Sequence, residues 1–276
     1  MDKRLIAQRF AKARDTYSQA ARAQRQVAEK MLRLVEKYLP ATGQRELLPQ
    51  VGEVLSGRQH KVLRLVEIGC GTGIYSAMLL RRLCPRQMLL VDLCPEMEPL
   101  INELTACHPE VDANFRAADA EQMELPAGVQ LITSCSTVQW FEAPKAFVER
   151  CAAALAPQGL LAFSTFGPDN LREISALTGH GLTYPTLQDW HGMTVSNLHL
   201  HYAEEERITL WFPSPIEVLK HLKETGVTGT EKKVWSKQRL HNFCQAYAAR
   251  FSNAKGEVSL TYHPMYLVYR KRVFLE

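Results

Sequence analysis

The stretch Val62 to Gly73, VLRLVEIGCGTG, constrains the fold of this chain more than any other. Its first half is a run of apolar, largely branched residues, the composition of a strand buried on both faces. Its second half, Glu67-Ile-Gly69-Cys70-Gly71-Thr-Gly73, places three glycines at alternate positions directly after that strand. Glycine accepts positive φ and carries no Cβ to obstruct a ligand. A strand that ends in such a turn and enters a helix lets a ligand lie against bare backbone. The helix is predicted over 74–83, with Met78, Leu79, Leu80 and Leu83 supplying its apolar positions.

Two ligand classes compete for the loop. The dinucleotide fingerprint is G-x-G-x-x-G, in which loop amides and a helix start hold a pyrophosphate. Here the third glycine comes one residue too early, and Glu67, two places before the first glycine, would repel a phosphate. A ligand with a cationic centre and no phosphate fits better. The pattern E-x-G-x-G-x-G resembles the first motif of class I S-adenosylmethionine (SAM) methyltransferases; a tight turn without a ligand is the alternative. The second predicted strand, 87–92, ends in Asp92, 19 residues after Gly73. That is close to the spacing at which a strand-end acid meets ribose hydroxyls in a βαβ unit, and a carboxylate can accept from both hydroxyls of a diol. Leu93 would then lie beside the adenine. Read in isolation, Asp92 is a cap for a helix that starts at Pro95; after this glycine loop the ribose role is favoured.

At 276 residues and 46% hydrophobic content, the chain can form one large α/β domain or a domain with a sizeable insertion. No apolar stretch reaches the length of a membrane span and the first residues lack a signal-peptide core, so a cytoplasmic protein is expected. The seven cysteines include no C-x-x-C pair and fit reduced, buried residues. The nine histidines form no zinc pattern, and no metal is expected. Net charge is +4, unevenly placed: residues 1–40 carry +6 and the remainder −2. The basic segment is either a solvated helix face or a landing surface for an acidic partner.

Residues 2–39 have helical spacing, as one helix or as two with a bend near Asp15 to Ser18, ended by Pro40. Residues 41–60 read as a connection. From Val62 strands alternate with helices: strands 62–68, 87–92, 111–117, 129–134 and 160–165, with helices at 95–108 and 144–155, the last ended by the breaker Pro157-Gln-Gly159. Residues 167–213 lose this rhythm and read as a lid insertion over the cofactor edge of the sheet. A strand at 207–212, a helix at 214–224 capped by Ser214 and stopped by Gly226, a helix near 237–250 and a strand at 261–270 complete the chain.

Asp119 follows the third strand. On the methyltransferase reading it meets the adenine amino group with the Ala120 amide on a ring nitrogen, and it can also cap the next helical turn. The fourth strand ends in Ser134-Cys-Ser-Thr-Val-Gln139-Trp140-Phe. This stretch contains neither the Asp/Asn-Pro-Pro-aromatic motif of base-amino methylation nor the Pro-Cys of cytosine C5 methylation, and no lysine, histidine or acid to take a proton. An acceptor that arrives ionised, such as a carboxylate, needs none. Gln139 and Trp140 are candidates for that site or plain supports of the loop.

Several stretches together resemble the biotin-synthesis malonyl-acyl-carrier-protein O-methyltransferases. They are Phe10…Tyr17…Ala20…Gln24, Val138-Gln139-Trp140, Leu160-Leu-Ala-Phe-Ser-Thr-Phe-Gly167-Pro-Asp-Asn-Leu-Arg-Glu173, and Phe212-Pro-Ser-Pro-Ile-Glu-Val-Leu-Lys-His-Leu-Lys-Glu-Thr-Gly226-Val. The resemblance implies a Rossmann-like class I fold: an α/β, mostly parallel seven-stranded sheet with helices on both faces, an N-terminal helical lid and linker over 1–60 and a methyltransferase domain over 61–276. It implies that SAM methylates the free carboxylate of a malonyl thioester on acyl carrier protein, leaving S-adenosylhomocysteine and an ester whose masked charge lets fatty-acid enzymes elongate it. It also implies a cofactor set of Glu67, Gly69, Cys70, Gly71, Gly73, Asp92, Leu93, Asp119, Ala120 and Ser134. Tyr17 is a candidate donor to the carboxylate. Arg172 is a candidate cation, or equally a surface arginine. A monomer that binds neither nucleic acid nor membrane is expected. Methylation of another small carboxylate or of RNA is the alternative, and a non-catalytic SAM-binding scaffold is a further one, against which the intact glycine loop and Asp92 argue.

Overall fold

A computed structural model describes residues 2–39, 63–227 and 235–272. Two helices, α1 (Lys3–Ala20) and α2 (Arg22–Tyr38), precede an alternating core. That core runs β1 (Arg64–Ile68), α3 (Ile74–Leu83), β2 (Gln87–Asp92), α4 (Glu98–Ala106), β3 (Asp112–Ala117), β4 (Val129–Ser134), α5 (Pro144–Ala154) and β5 (Leu155–Phe166). The rest comprises α6 (Arg172–Thr178), α7 (Leu187–Gly192), β6 (Leu198–Glu205), β7 (Ile208–Phe212), α8 (Pro215–Glu224), α9 (Lys237–Phe251), β8 (Val258–Tyr262) and β9 (Pro264–Lys271). No helix among the described residues is long and apolar enough to cross a membrane.

The seven-stranded sheet has the order β3-β2-β1-β4-β5-β9-β6. Strands β1 to β5 are parallel and β9 runs antiparallel to both its neighbours. The chain moves outward from β1 to β3, then returns to β4 on the other side of β1. The crevice at the carboxyl ends of β1 and β4 is therefore a topological switch point, where open α/β sheets bind ligands.

Strand periodicity divides β1 between two apolar layers. Leu65 faces a layer with Val27, Met31 and Val35 of α2 and Leu79 and Leu80 of α3, while Val66 and Ile68 face Phe147, Val148 and Cys151 of α5. A third cluster joins the two-stranded ribbon β7-β8 to α8 and α9 through Phe212, Val218, Leu222, Phe243, Tyr247 and Leu260.

Several boundaries differ from the sequence reading. The N-terminal break falls at Ala21 (φ −73°, ψ 53°), beyond the expected Asp15 to Ser18, where the Ala21 N–H still donates to the Tyr17 carbonyl at 2.8 Å. Pro157-Gln-Gly159 does not separate α5 from the fifth strand: β5 starts at Leu155, and the irregularity is absorbed as a register shift opposite Val129 and Leu131, with Gln158 at φ +62°. The helix expected over 95–108 is a single 3₁₀ turn followed by α4. The final expected strand is two strands in two different sheets. Of segment 167–213, residues 198–205 are the edge strand of the main sheet, so it extends the sheet as well as covering it. The connection expected over 41–60, and Pro40, lie outside the described residues.

One buried acid fastens the ribbon to the rest. Glu173 of α6 is fully buried, and its carboxylate accepts from Thr261 Oγ1 (2.6 Å), Thr261 N (3.0 Å) and Ser259 Oγ (3.1 Å). In Glu173→Gln an NH2 group must face those donors. The variant is expected to lose about 1.5–3 kcal/mol of stability, read as a lower denaturant midpoint at unchanged m-value.

Candidate functional site

A cleft of about 820 Å³ occupies the switch point. Its floor is the ends of the parallel strands: Gly69, Gly71 and Thr72 after β1, Asp92 and Leu93 after β2, Ala118 to Ala120 after β3, and Cys135 to Thr137 after β4. Its outer wall is α1, which contributes Lys3, Ile6, Phe10 and Tyr17.

The glycine loop is held from below and open above. The N–H groups of Gly69 and Cys70 both donate to the Val91 carbonyl, at 2.7 and 3.0 Å. Gly69 has φ +72°, and a Cβ there would lie 2.1 Å from Thr137 Oγ1, so no other residue fits. Gly71 has φ +52°, and a Cβ there would meet nothing within 4 Å because it would project into the cleft. The loop is thus a cradle of bare backbone that a side chain would fill.

Asp92 ties two loops together: one carboxylate oxygen accepts from Gly71 N and the other from Cys94 N, both at 2.8 Å. Burial raises its pKa above the ordinary carboxylate value, against the pull of these amides. Each oxygen keeps a lone pair for a hydroxyl donor. Asp119 sits at the far end of the cleft and meets Lys3 Nζ at 2.7 Å; the same ammonium reaches Glu121 at 2.6 Å. Glu121 is buried and also accepts from the backbone amides of Glu142 and Ala143, at 3.0 and 2.7 Å. The apolar walls (Val91, Leu93, Met97, Phe141), the open cradle at Gly71 and the two acids suit a nucleoside carrying a cationic tail.

Of the residues picked out by sequence, Gly69, Gly71, Asp92, Leu93, Asp119, Ala120, Tyr17 and Trp140 line this cleft. Glu67, Cys70, Gly73 and Ser134 lie behind it. Glu67 is buried under the loop, its carboxyl pushed up to about 8 chiefly by burial, and its Oε2 is buried without a hydrogen-bond partner. Cys70 packs in the apolar layer with Leu79, and Gly73 is the left-handed residue that starts α3. The Ser134 hydroxyl donates to the Ile68 carbonyl at 2.9 Å, joining β4 to β1.

A second, smaller chamber adjoins the cleft, and the two share Phe10, Tyr17, Ser136 and Trp140 as lining. Gln24, Gln139, Asn170, Tyr184 and Tyr262 supply its other polar groups, and the lining among the described residues contains no lysine, arginine, histidine or acid. Gln139 Nε2 donates to the Ser136 carbonyl at 2.6 Å, leaving its buried Oε1 without a partner. Burial raises the Tyr17 phenol, so it stays protonated and able to donate. Tyr262 meets His221 Nε2 at 2.8 Å, and burial, helped by Arg22, lowers that imidazole to about 4, so it is neutral at neutral pH.

Arg172 is not brought to either space. It is the first residue of α6, whose inward position is taken by Glu173, and its own side chain is 59% exposed, 3.8 Å from the Glu173 carboxylate. Lys3, Phe10, Gln24, Asn170, Tyr184 and Tyr262 were not singled out from the sequence as site residues. A signal for part of this set exists: Phe10, Tyr17 and Gln24 are seven residues apart, two helical turns, and so face the same way.

Comparison with known proteins agrees with this geometry. The family model for a methyltransferase domain matches residues 21–224. A malonyl-[acyl-carrier protein] O-methyltransferase of Bacteroides helcogenes is 46% identical over 99% of this chain and 100% of its own length. One of Bacteroides fragilis is 45% identical over 98% of this chain, which spans about half (51%) of that longer protein. Among solved structures, the YcgJ protein from Bacillus subtilis superposes with a TM-score of 0.61 at 14% identity, covering 89% of this chain and 100% of that one, and so shares the fold. The chain belongs to the malonyl-[acyl-carrier protein] O-methyltransferase family, on the class I methyltransferase fold.

Proposed function

We propose that this chain methylates the free carboxylate of a malonyl thioester on acyl carrier protein, with SAM as methyl donor, in the cytoplasm. The observation that carries the reading is the uncharged chamber that shares a wall with the cofactor cleft. Two adjoining spaces suit two reactants. A chamber lined without a base suits an acceptor that is already ionised.

SAM supplies the methyl group, which the carboxylate oxygen takes as the S–CH3 electron pair goes to sulfur. The chain's own residues position and exclude. Asp92 would receive the ribose hydroxyls on its remaining lone pairs, Leu93 and Phe141 would flank the base, and Asp119 with the Ala120 amide would address the base edge. Tyr17, Phe10 and Trp140 form the partition where the reacting atoms meet. Phe10 stands edge-on to Trp140, with ring centroids 5.8 Å apart, and to Tyr17 at 6.2 Å, which makes the partition an apolar one. Opposite charges vanish as the methyl moves, so a dry site without a competing cation favours the transfer.

The N-terminal helices also present Arg4, Lys12, Arg22 and Arg25 to solvent. A carrier protein is small and acidic, and exposed charges of this kind act mainly on encounter rate.

Incubation with SAM and malonyl carrier protein is expected to add one methyl to the malonyl group, read by intact-mass spectrometry; an unchanged mass refutes the reading. Gly71→Val, which places a branched side chain at φ +52° in the cradle, is expected to abolish SAM binding in calorimetry while the circular dichroism of the fold persists. Reversing Arg4 and Lys12 to Glu is expected to raise KM for malonyl carrier protein and leave SAM affinity and turnover of a small malonyl thioester nearly unchanged. Raised salt should reproduce this in the unmodified protein. Insensitivity to both would make the patch a plain solvated face.

A further inference from the structure

The chamber holds a hydroxyl, that of Tyr184, whose proton is directed by its surroundings. Asn170, 6% exposed, follows β5, and both ends of its side-chain amide are engaged. Its Oδ1 accepts from the backbone N–H of His263 at 3.3 Å, and its Nδ2 donates to the Tyr184 hydroxyl at 3.0 Å. The opposite orientation would set an NH2 against the His263 N–H, so the backbone decides which way the amide lies. Tyr184 therefore receives a hydrogen bond from Asn170 and must give its own proton elsewhere. Both residues line the chamber, and Gln139 and Gln24 there are not hydrogen-bonded to Tyr184. Burial raises the Tyr184 phenol above its ordinary value, so the proton is retained at neutral pH.

We propose that Tyr184 binds the acceptor carboxylate as a hydrogen-bond donor, with Asn170 as the residue that positions it. This rests on the methyl-transfer reading above. A neutral donor suits this chemistry better than an arginine. The carboxylate loses its negative charge as it takes the methyl, so a fixed cation would hold the reactant more tightly than the transition state and slow the step. A phenol gives direction at a smaller ground-state penalty. The arrangement also explains why the chamber can dispense with Arg172, which points to solvent. Specificity follows from the same geometry: an acceptor with an amide or ester in place of the carboxylate offers a weaker oxygen to Tyr184.

The test compares Tyr184→Phe, Asn170→Asp and the double variant with the unmodified protein, using SAM and malonyl carrier protein. Tyr184→Phe removes only the hydroxyl and is expected to raise KM for the malonyl substrate roughly 10- to 100-fold. SAM affinity, measured by calorimetry, should stay within about twofold, since Tyr184 is absent from the cofactor cleft. Asn170→Asp can still accept from the His263 N–H but can no longer donate, so Tyr184 turns its proton toward residue 170 and the KM rises comparably. The double variant is expected to be no worse than the poorer single one, because Asn170 acts through Tyr184; effects that multiply would overturn the positioning role. A Tyr184→Phe protein whose KM moves by less than about twofold overturns the assignment and leaves methyl transfer standing. An unmodified protein that transfers no methyl to malonyl carrier protein overturns both.

Discussion

The bond pair made by the Asp92 carboxylate organises this molecule. One oxygen holds the Gly71 amide and the other the Cys94 amide, so the loops after β1 and β2 cannot drift apart. That places the glycine cradle beside the strand-end acid at the switch point of the sheet. It works because the loop has no side chain at 69 or 71 to prevent it: Thr137 fills the space where a Cβ of Gly69 would lie, and the cleft fills the space above Gly71. The burial that raises the Asp92 carboxyl is offset by these same amides, which leave it able to accept from a ligand.

Around this centre the N-terminal helices form a wall. Lys3 is tied to Asp119 and Glu121, Ser18 to Thr72, Thr16 to the Glu224 carbonyl, and Phe10 lies where a Cβ on Gly226 would come within 2.9 Å. These contacts run from one end of α1 to the other and reach three different parts of the chain. Much of the basic charge in this segment has internal work: Lys3 pairs with two acids, Arg14 with Asp15, and Arg25 with the Ser18 carbonyl. The excess of positive charge in residues 1–40 is therefore only partly available to a partner.

The parallel core was legible in sequence because its signals are local. Strands 87–92 and 129–134 and helix 74–83 begin and end where the apolar runs and breakers place them. The cradle was legible for the same reason: three glycines and an acid at fixed spacing act through the backbone. The direction in which Ser134 and Cys70 face was not legible because a small residue near a cleft can face either way, and only the strand register decides; here one bonds the Ile68 carbonyl and the other joins an apolar layer. Of the two readings open for Arg172, cation of the site or surface arginine, the structure has the second, because its neighbour Glu173 claims the inward position of a short helix. The acceptor chamber was least legible. Its walls come from α2, from the segment after β5 and from the ribbon, brought together by long-range contacts that no local pattern announces.

The position of β9 has a consequence for how the chain is made. Among the described residues β6 pairs in the sheet only with β9, and β9 also closes the open edge of β5. During synthesis residues 155–166 and 198–205 leave the ribosome with their hydrogen-bonding edges uncovered, and they stay so until residues 264–271 follow. A sheet of this topology cannot be completed from its N-terminal end. Nascent chains arrested before β9 hold β5 with a bare outer edge, the surface that recruits other strands and that a cell must shield.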